Sequence, residues 1–227
     1  MAEVDSFKVG VLMLNTRFPR LPGDIGNPDS LPCEVIIRRV DAARVDNVVG
    51  SEAPEAALQQ ILLQAGDELQ AQGTDLLVTS CGFLSCMQDA LAARYQVPVI
   101  ASSLVLMPFL RTVYGPAEIG VLTFDSRKLT ALHFNGWFDE QIGIAGIEQG
   151  KELYRVISQD ETELDAEQAE QDVLMAVDAL RQRQPGIRVL VLECTNLSPY
   201  RAAIKRHTGL PVYDLMTAVN WVRNAHL

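Results

Sequence analysis

An α/β fold made of two similar lobes is what this sequence predicts, and three observations predict it. Strand-like and helix-like patterns alternate from end to end, the alternation restarts near the middle, and short windows of the first half recur in the second. A chain of 227 residues with 48% hydrophobic content can bury the core such a fold needs, and that content excludes a disordered polypeptide.

The elements follow in order. Residues 8–14, apolar from Val9 onward, read as a buried strand, and 35–40 read as a second strand. Residues 52–72 carry Leu58, Leu62, Leu63 and Leu69 at helical spacing. A third strand is expected at 75–80, a helix at 83–95, a short strand at 97–101, and a helix at 104–114 that Gly115-Pro116 stops. The pattern then begins again. Residues 9–17 match 119–127, which lays Asn15 on Asp125; residues 75–85 match 188–198, which lays Cys81 on Cys194; and 97–99 match 210–212. The helix at 52–72 has its counterpart at 163–183.

Matches that keep their order and nearly constant spacing predict an internal duplication. The expected architecture is therefore two pseudo-symmetric parallel-sheet lobes with a cleft between them, residues 1–115 holding Cys81 and residues 116–227 holding Cys194. The last helix is expected to pack back on the first lobe. The halves should differ after their first strands, where 19–24 is a Pro-rich loop and 129–138 reads as a helix.

Composition narrows the function. Nineteen Lys and Arg against 29 Asp and Glu give a net charge of −10, which excludes a general grip on nucleic-acid backbones. No apolar run approaches the roughly 18 residues of a membrane helix, and the first residues carry Glu3 and Asp5 rather than a signal-like pattern, so a cytoplasmic protein away from membranes is expected. Four scattered cysteines do not make a disulfide framework, and their spacing does not make a metal site.

In parallel α/β sheets, ligands bind beyond the carboxyl ends of the strands. The repeat places polar residues there: Asn15 and Arg17 after one strand, Ser126 after its copy, and Cys81 and Cys194 each between a strand and a helix. Either cysteine alone would read as a buried core residue. Their matched positions make them the candidate catalytic pair, and the positive end of the following helix should favour each thiolate. Two thiols reaching one carbon from opposite faces suit racemisation next to a carboxylate, one removing the proton and the other returning it, with no metal or other cofactor required. Candidate substrate contacts are Asn15, Arg17, Ser80, Gly82, Phe83, Ser126, Thr195 and Asn196. Cys33 and Cys86 have no copies and read as structural, as do His133, His207 and His226. Glu193 should point to the opposite side of its strand from Cys194.

The motifs Ser80-Cys81-Gly82 and Glu193-Cys194-Thr195-Asn196, set in duplicated α/β halves, resemble the aspartate/glutamate racemase superfamily over nearly the whole chain. The resemblance implies racemisation without pyridoxal phosphate, with the cysteines as acid and base, Asn15 as the polar strand-end residue and the Cys-Thr step contacting substrate. It departs from glutamate racemases at Asn15, at Gly82-Phe83 and at Asn196. Aspartate and hydantoin racemases, maleate isomerases and arylmalonate decarboxylases are similar at the same level. The expected activity is thus racemisation of a small α-carboxylate compound such as aspartate. The alternatives are isomerisation or decarboxylation of a small diacid, or binding of a carboxylate without reaction. A homodimer is a further expectation.

Overall fold

The computed structural model describes residues 6–226. Its first lobe runs through β1 (Lys8–Leu14), β2 (Glu34–Val40), α1 (Val45–Val48), α2 (Ala56–Ala71), β3 (Leu76–Thr79), α3 (Gln88–Arg94), β4 (Val99–Ile100) and α4 (Met107–Val113). The second runs through β5 (Ile119–Thr123), β6 (Gly143–Gly146), α5 (Leu153–Gln159), α6 (Ala166–Arg183), β7 (Val189–Leu192), α7 (Arg201–Thr208), β8 (Val212–Tyr213) and α8 (Leu215–His226). Each lobe has one four-stranded parallel sheet, ordered β2-β1-β3-β4 and β6-β5-β7-β8. The two orders are the same once β5 is laid on β1, so the duplication in sequence is a duplication in topology.

The inner strands are apolar on both faces because both faces are covered, as parallel sheets require. The repeat extends to single hydrogen bonds. Ser80 N–H donates to Leu12 O at 3.0 Å and Glu193 N–H to Leu122 O at 2.7 Å, while Leu84 N–H to Cys81 O and Leu197 N–H to Cys194 O are both 3.1 Å. Matched glycines let the long helices approach. A Cβ on Gly10 would lie 3.3 Å from Leu69 of α2, and one on Gly120 would lie 3.0 Å from Leu180 of α6.

Two expected helices come out differently. Residues 129–138 hold only a 3-10 turn, Ala131–Phe134, which Asn135 ends in the left-handed conformation (φ 49°). The helix expected at 83–95 begins as a 3-10 turn, Gly82–Met87, and only then becomes α3. Its copy after Cys194 does the same at Thr195–Tyr200, where Pro199 has no N–H to give to an α-helical bond.

The lobes share one core: residues of β1, β3, β5 and β7 belong to a single buried cluster. Polar ties cross the seam. Thr195 Oγ1 donates to Ser80 O at 2.8 Å and Ser103 Oγ to Leu192 O at 2.7 Å. Asp160, the left-handed cap that ends α5, accepts from the Arg17 and Phe18 N–H groups of the first lobe. The last helix, α8, contacts β4 and the 3-10 turn Ser103–Leu106 of the first lobe. No helix among the described residues is long and apolar enough to cross a membrane.

Candidate functional site

Where β1, β3, β5 and β7 end, the chain leaves regular structure and the lobes face each other. Leu14, Cys81, Phe124 and Cys194 come together there around one small cavity, with Ser80, Gly82, Phe83, Glu193 and Asn196 in its wall. Phe18 at the start of the Pro-rich loop, Val45 of α1 with Val49 just after it, and Ile157 of α5 narrow it. The space it leaves is about 20 Å³, room for one water molecule. Entry of any substrate therefore requires these apolar walls to part.

Cys81 and Cys194 each sit at the last position before a 3-10 turn, so the N–H two residues on, of Phe83 and of Asn196, faces the sulfur. The expectation that this would yield a ready thiolate is corrected by the surroundings. Burial, reinforced by the carboxyl of Glu193, pushes the Cys81 thiol up to about 12 and Cys194 well above its ordinary value. One backbone dipole does not offset removal of an anion from water.

A buried polar network supports Cys194. Its thiol points to Asn196 Oδ1 at 3.7 Å, and Asn196 Nδ2 donates to Asp24 Oδ2 at 2.7 Å. Asp24 also accepts from Arg20 Nη1 at 3.0 Å and from Gly26 N–H at 2.6 Å. Arg20 Nη2 reaches Thr16 Oγ1 at 3.2 Å, and its guanidinium lies 4.8 Å above the Phe18 ring. The turn that presents Asp24 needs Gly23, whose φ is +102°. Sequence reasoning missed Asp24 as a site residue; the Arg20/Asp24 spacing inside a Pro-Gly turn was the available signal.

Glu193 was expected to face away, but β7 ends at Leu192, so strand alternation no longer governs it. It is fully buried in the cavity wall. Oε2 accepts from Thr123 Oγ1 at 2.6 Å, whereas Oε1 has no hydrogen-bond partner. Burial raises its pKa to about 7 against the opposing pull of the Thr123 hydroxyl.

The remaining candidates lie farther out. Asn15 and Arg17 line a polar cleft of about 420 Å³ that shares only Val45 and Ile157 with the cysteine cavity. Asn15 donates to Asp41 O, and Arg17 pairs with Asp160. Ser126 is bonded to Glu148 in a separate cleft of about 520 Å³ between β6 and α6. Thr195 does not line the cavity and spends its hydroxyl on the bond to Ser80 O. Cys86 Sγ donates to Phe83 O, and among the described residues no group of three or more His, Cys, Asp or Glu is placed to hold a metal ion.

A sequence model described as Asp/Glu/Hydantoin racemase matches residues 28–222. Curated relatives include a dimethylsulfoniopropionate lyase of Durusdinium sp. clade D, 26% identical over 94% of this chain and 73% of its own length. Dimethylsulfoniopropionate lyase 7 of Emiliania huxleyi (strain CCMP1516) is 27% identical over 93% of this chain and 65% of its own length. The chain thus spans about two thirds to three quarters of these two enzymes. Among solved structures, an allantoin racemase from Klebsiella pneumoniae superposes with a TM-score of 0.67 at 18% identity, over 97% of this chain and 87% of that one. A glutamate racemase from Francisella tularensis superposes with a TM-score of 0.57 at 15% identity, over 98% and 81% of the two chains.

Proposed function

Because the chain belongs to the Asp/Glu/hydantoin racemase family, we propose that Cys81 and Cys194 are the acid and base of an enzyme that works without a cofactor at the carbon next to the carboxylate of a small substrate, as a racemase or epimerase. The observation that carries this reading is the pair of matched thiols in the wall of one narrow, largely apolar cavity between the lobes. One thiolate takes the α-proton, the bond's electron pair passes into an enediolate, and the opposite thiol gives its proton to the other face. A thiol whose pKa is raised is scarce as thiolate at neutral pH but is the stronger base once formed. Exclusion of water by Phe18, Val45, Val49 and Ile157 protects the carbanion from random reprotonation.

A second reading is favoured by the names of the curated relatives. On a substrate with a leaving group at the β-carbon, the same proton abstraction leads to elimination: the electron pair forms the Cα–Cβ double bond and the leaving group departs with the bond's electrons. Only one thiol is then required as base.

The test is proton NMR in D2O with aspartate, glutamate, allantoin, a hydantoin and dimethylsulfoniopropionate, using wild type, Cys81→Ser and Cys194→Ser, with chiral analysis of products. Loss of the α-proton signal with inversion by wild type, and inversion by neither variant, is the expected result. Release of dimethyl sulfide and acrylate that survives loss of one cysteine would move the assignment to the lyase. No exchange with any substrate by the folded protein would overturn the proton-transfer reading for this set.

A further inference from the structure

The position before each cysteine is where the two halves stop matching. In the first lobe it is Ser80, whose Oγ accepts from the Leu14 N–H at 3.0 Å. In the second it is Glu193, fully buried, bonded through Oε2 to Thr123 and without a partner on Oε1. Its carboxyl lies directly over Gly82: a Cβ there would stand 2.2 Å from Oε1. Glycine after Cys81, where the repeat has Thr195, is what leaves space for this carboxyl.

We propose that Glu193 works in its protonated form, as a neutral hydrogen-bond donor that presents Oε1–H to the carboxylate of the bound substrate and to the enediolate that forms from it. The proposal rests on the reading of the cysteine cavity as the reacting site and adds a third catalytic residue to it. The cation lining the cavity, Arg20, has its charge balanced by Asp24 and gives Nη1 to Asp24 and Nη2 to Thr16, so that only its buried Nε is without a hydrogen-bond partner. The other polar groups facing Glu193 are the thiols of Cys81 and Cys194 and the hydroxyl of Thr123, with Asp24 and Cys86 acting on the thiols from farther out. An ionised Glu193 would thus be a buried anion holding one hydrogen bond, next to two groups of which one must become an anion and opposite a substrate that already is one. A carboxylic acid removes that repulsion and supplies the donor that a developing enediolate needs in a water-free site. The raised pKa of Glu193 agrees with this state near neutrality.

Two measurements test the proposal, one of which needs no substrate. Alkylation of Cys81 and Cys194 by iodoacetamide, followed by peptide mass spectrometry across pH, reads the thiolate directly. Glu193→Gln keeps shape and a donor but cannot ionise. It is expected to alkylate like wild type below about pH 6, where Glu193 is already protonated, and faster than wild type at pH 8, where Glu193 has ionised; a Gln variant that is faster by the same factor at every pH would show that Glu193 is ionised throughout and would overturn the proposal. Thr123→Val removes the bond that favours the anion and is expected to move the rate at pH 8 in the same direction. A role confined to packing would leave both rates in place, and that result would overturn the proposal. The second measurement is the pH profile of α-proton exchange with whichever substrate of the panel reacts. Wild type should lose kcat/KM above pH 7 while Glu193→Gln keeps it; a Gln variant whose kcat/KM falls at every pH through a raised KM would show instead that the ionised carboxylate binds a substrate cation, and would also overturn it. Alkylation that shifts as expected while no substrate reacts would support the charge assignment and count against the proposed function alone.

Discussion

Removing Asp24 should be far more damaging than its place in a surface loop suggests. The Arg20 and Asp24 side chains are 6% and 1% exposed, so their ion pair is shielded from water on both sides. Asp24→Ala strands a buried guanidinium and frees both Asn196 Nδ2 and the Gly26 N–H, which donate to the carboxylate at 2.7 and 2.6 Å. Breaking a buried pair by deleting one member costs about 3–5 kcal/mol. For a chain of this size each kcal/mol moves the melting temperature by about 2–4 °C, so a fall of about 6–20 °C is expected by differential scanning calorimetry. The companion experiment replaces both charges, Arg20→Met with Asp24→Leu, and should recover much of the loss because no unpaired ion is left behind. A fall of less than about 3 °C for Asp24→Ala, or a double variant whose loss is the sum of the two single ones, would refute the account of Asp24 as a desolvated partner.

Gly82→Ala should cost about 1–3 kcal/mol, because the new methyl meets the backbone oxygen of Glu193 as well as its carboxyl and neither can move freely; urea titration measures it. Arg17→Ala should change stability by less than about 1 kcal/mol, since the Arg17 side chain is 68% exposed and its pair with Asp160 is screened by solvent; its melting temperature should match wild type within a few degrees. Stability should also depend on pH through Glu193. Its folded pKa of about 7 lies above the ordinary 4.5, so the unfolded chain releases this proton first. The stability it contributes is full below about pH 4.5 and is lost as pH rises through 7, a change of about 3 kcal/mol. Urea titrations of wild type and Glu193→Gln across that window should differ by this slope.

The two-lobed parallel α/β architecture was legible because parallel strands buried on both faces leave continuous apolar runs, and because 75–85 and 188–198 repeat each other around a cysteine. Residues 129–138 misled because apolar spacing there comes from Leu129 and Phe134 entering the core from a turn, not from a helix. The sequence also pointed to the cysteines but not to their environment. Position at the start of a helical turn argues for a thiolate, and only the folded cavity shows that burial and Glu193 argue more strongly against it. Asn15 and Arg17 were legible as strand-end residues, yet Val45 and Ile157, brought in from two other elements, stand between them and the sulfurs. Asp24 and Phe18 join the site through a loop whose path no periodicity encodes.

The departure from symmetry bears on which reaction this site performs. A racemase must take a proton from either face of one carbon, so the two sulfurs need comparable reactivity in both directions, and duplicated lobes supply that at the level of the backbone. Ser80 and Glu193 break the match at the residues next to the sulfurs, but the Glu193 carboxyl, when ionised, raises both thiols and, when protonated, releases both, so it acts on the pair rather than on one member. On this argument the asymmetry is compatible with two-faced chemistry, and single-cysteine variants should reveal it. If each thiol serves one enantiomer, Cys81→Ser and Cys194→Ser should each retain α-proton exchange with one hand of the substrate, without inversion, and the two variants should choose opposite hands. If both variants exchange the same hand, only one face of the carbon is open to a base, and the site is built for one-sided chemistry such as elimination.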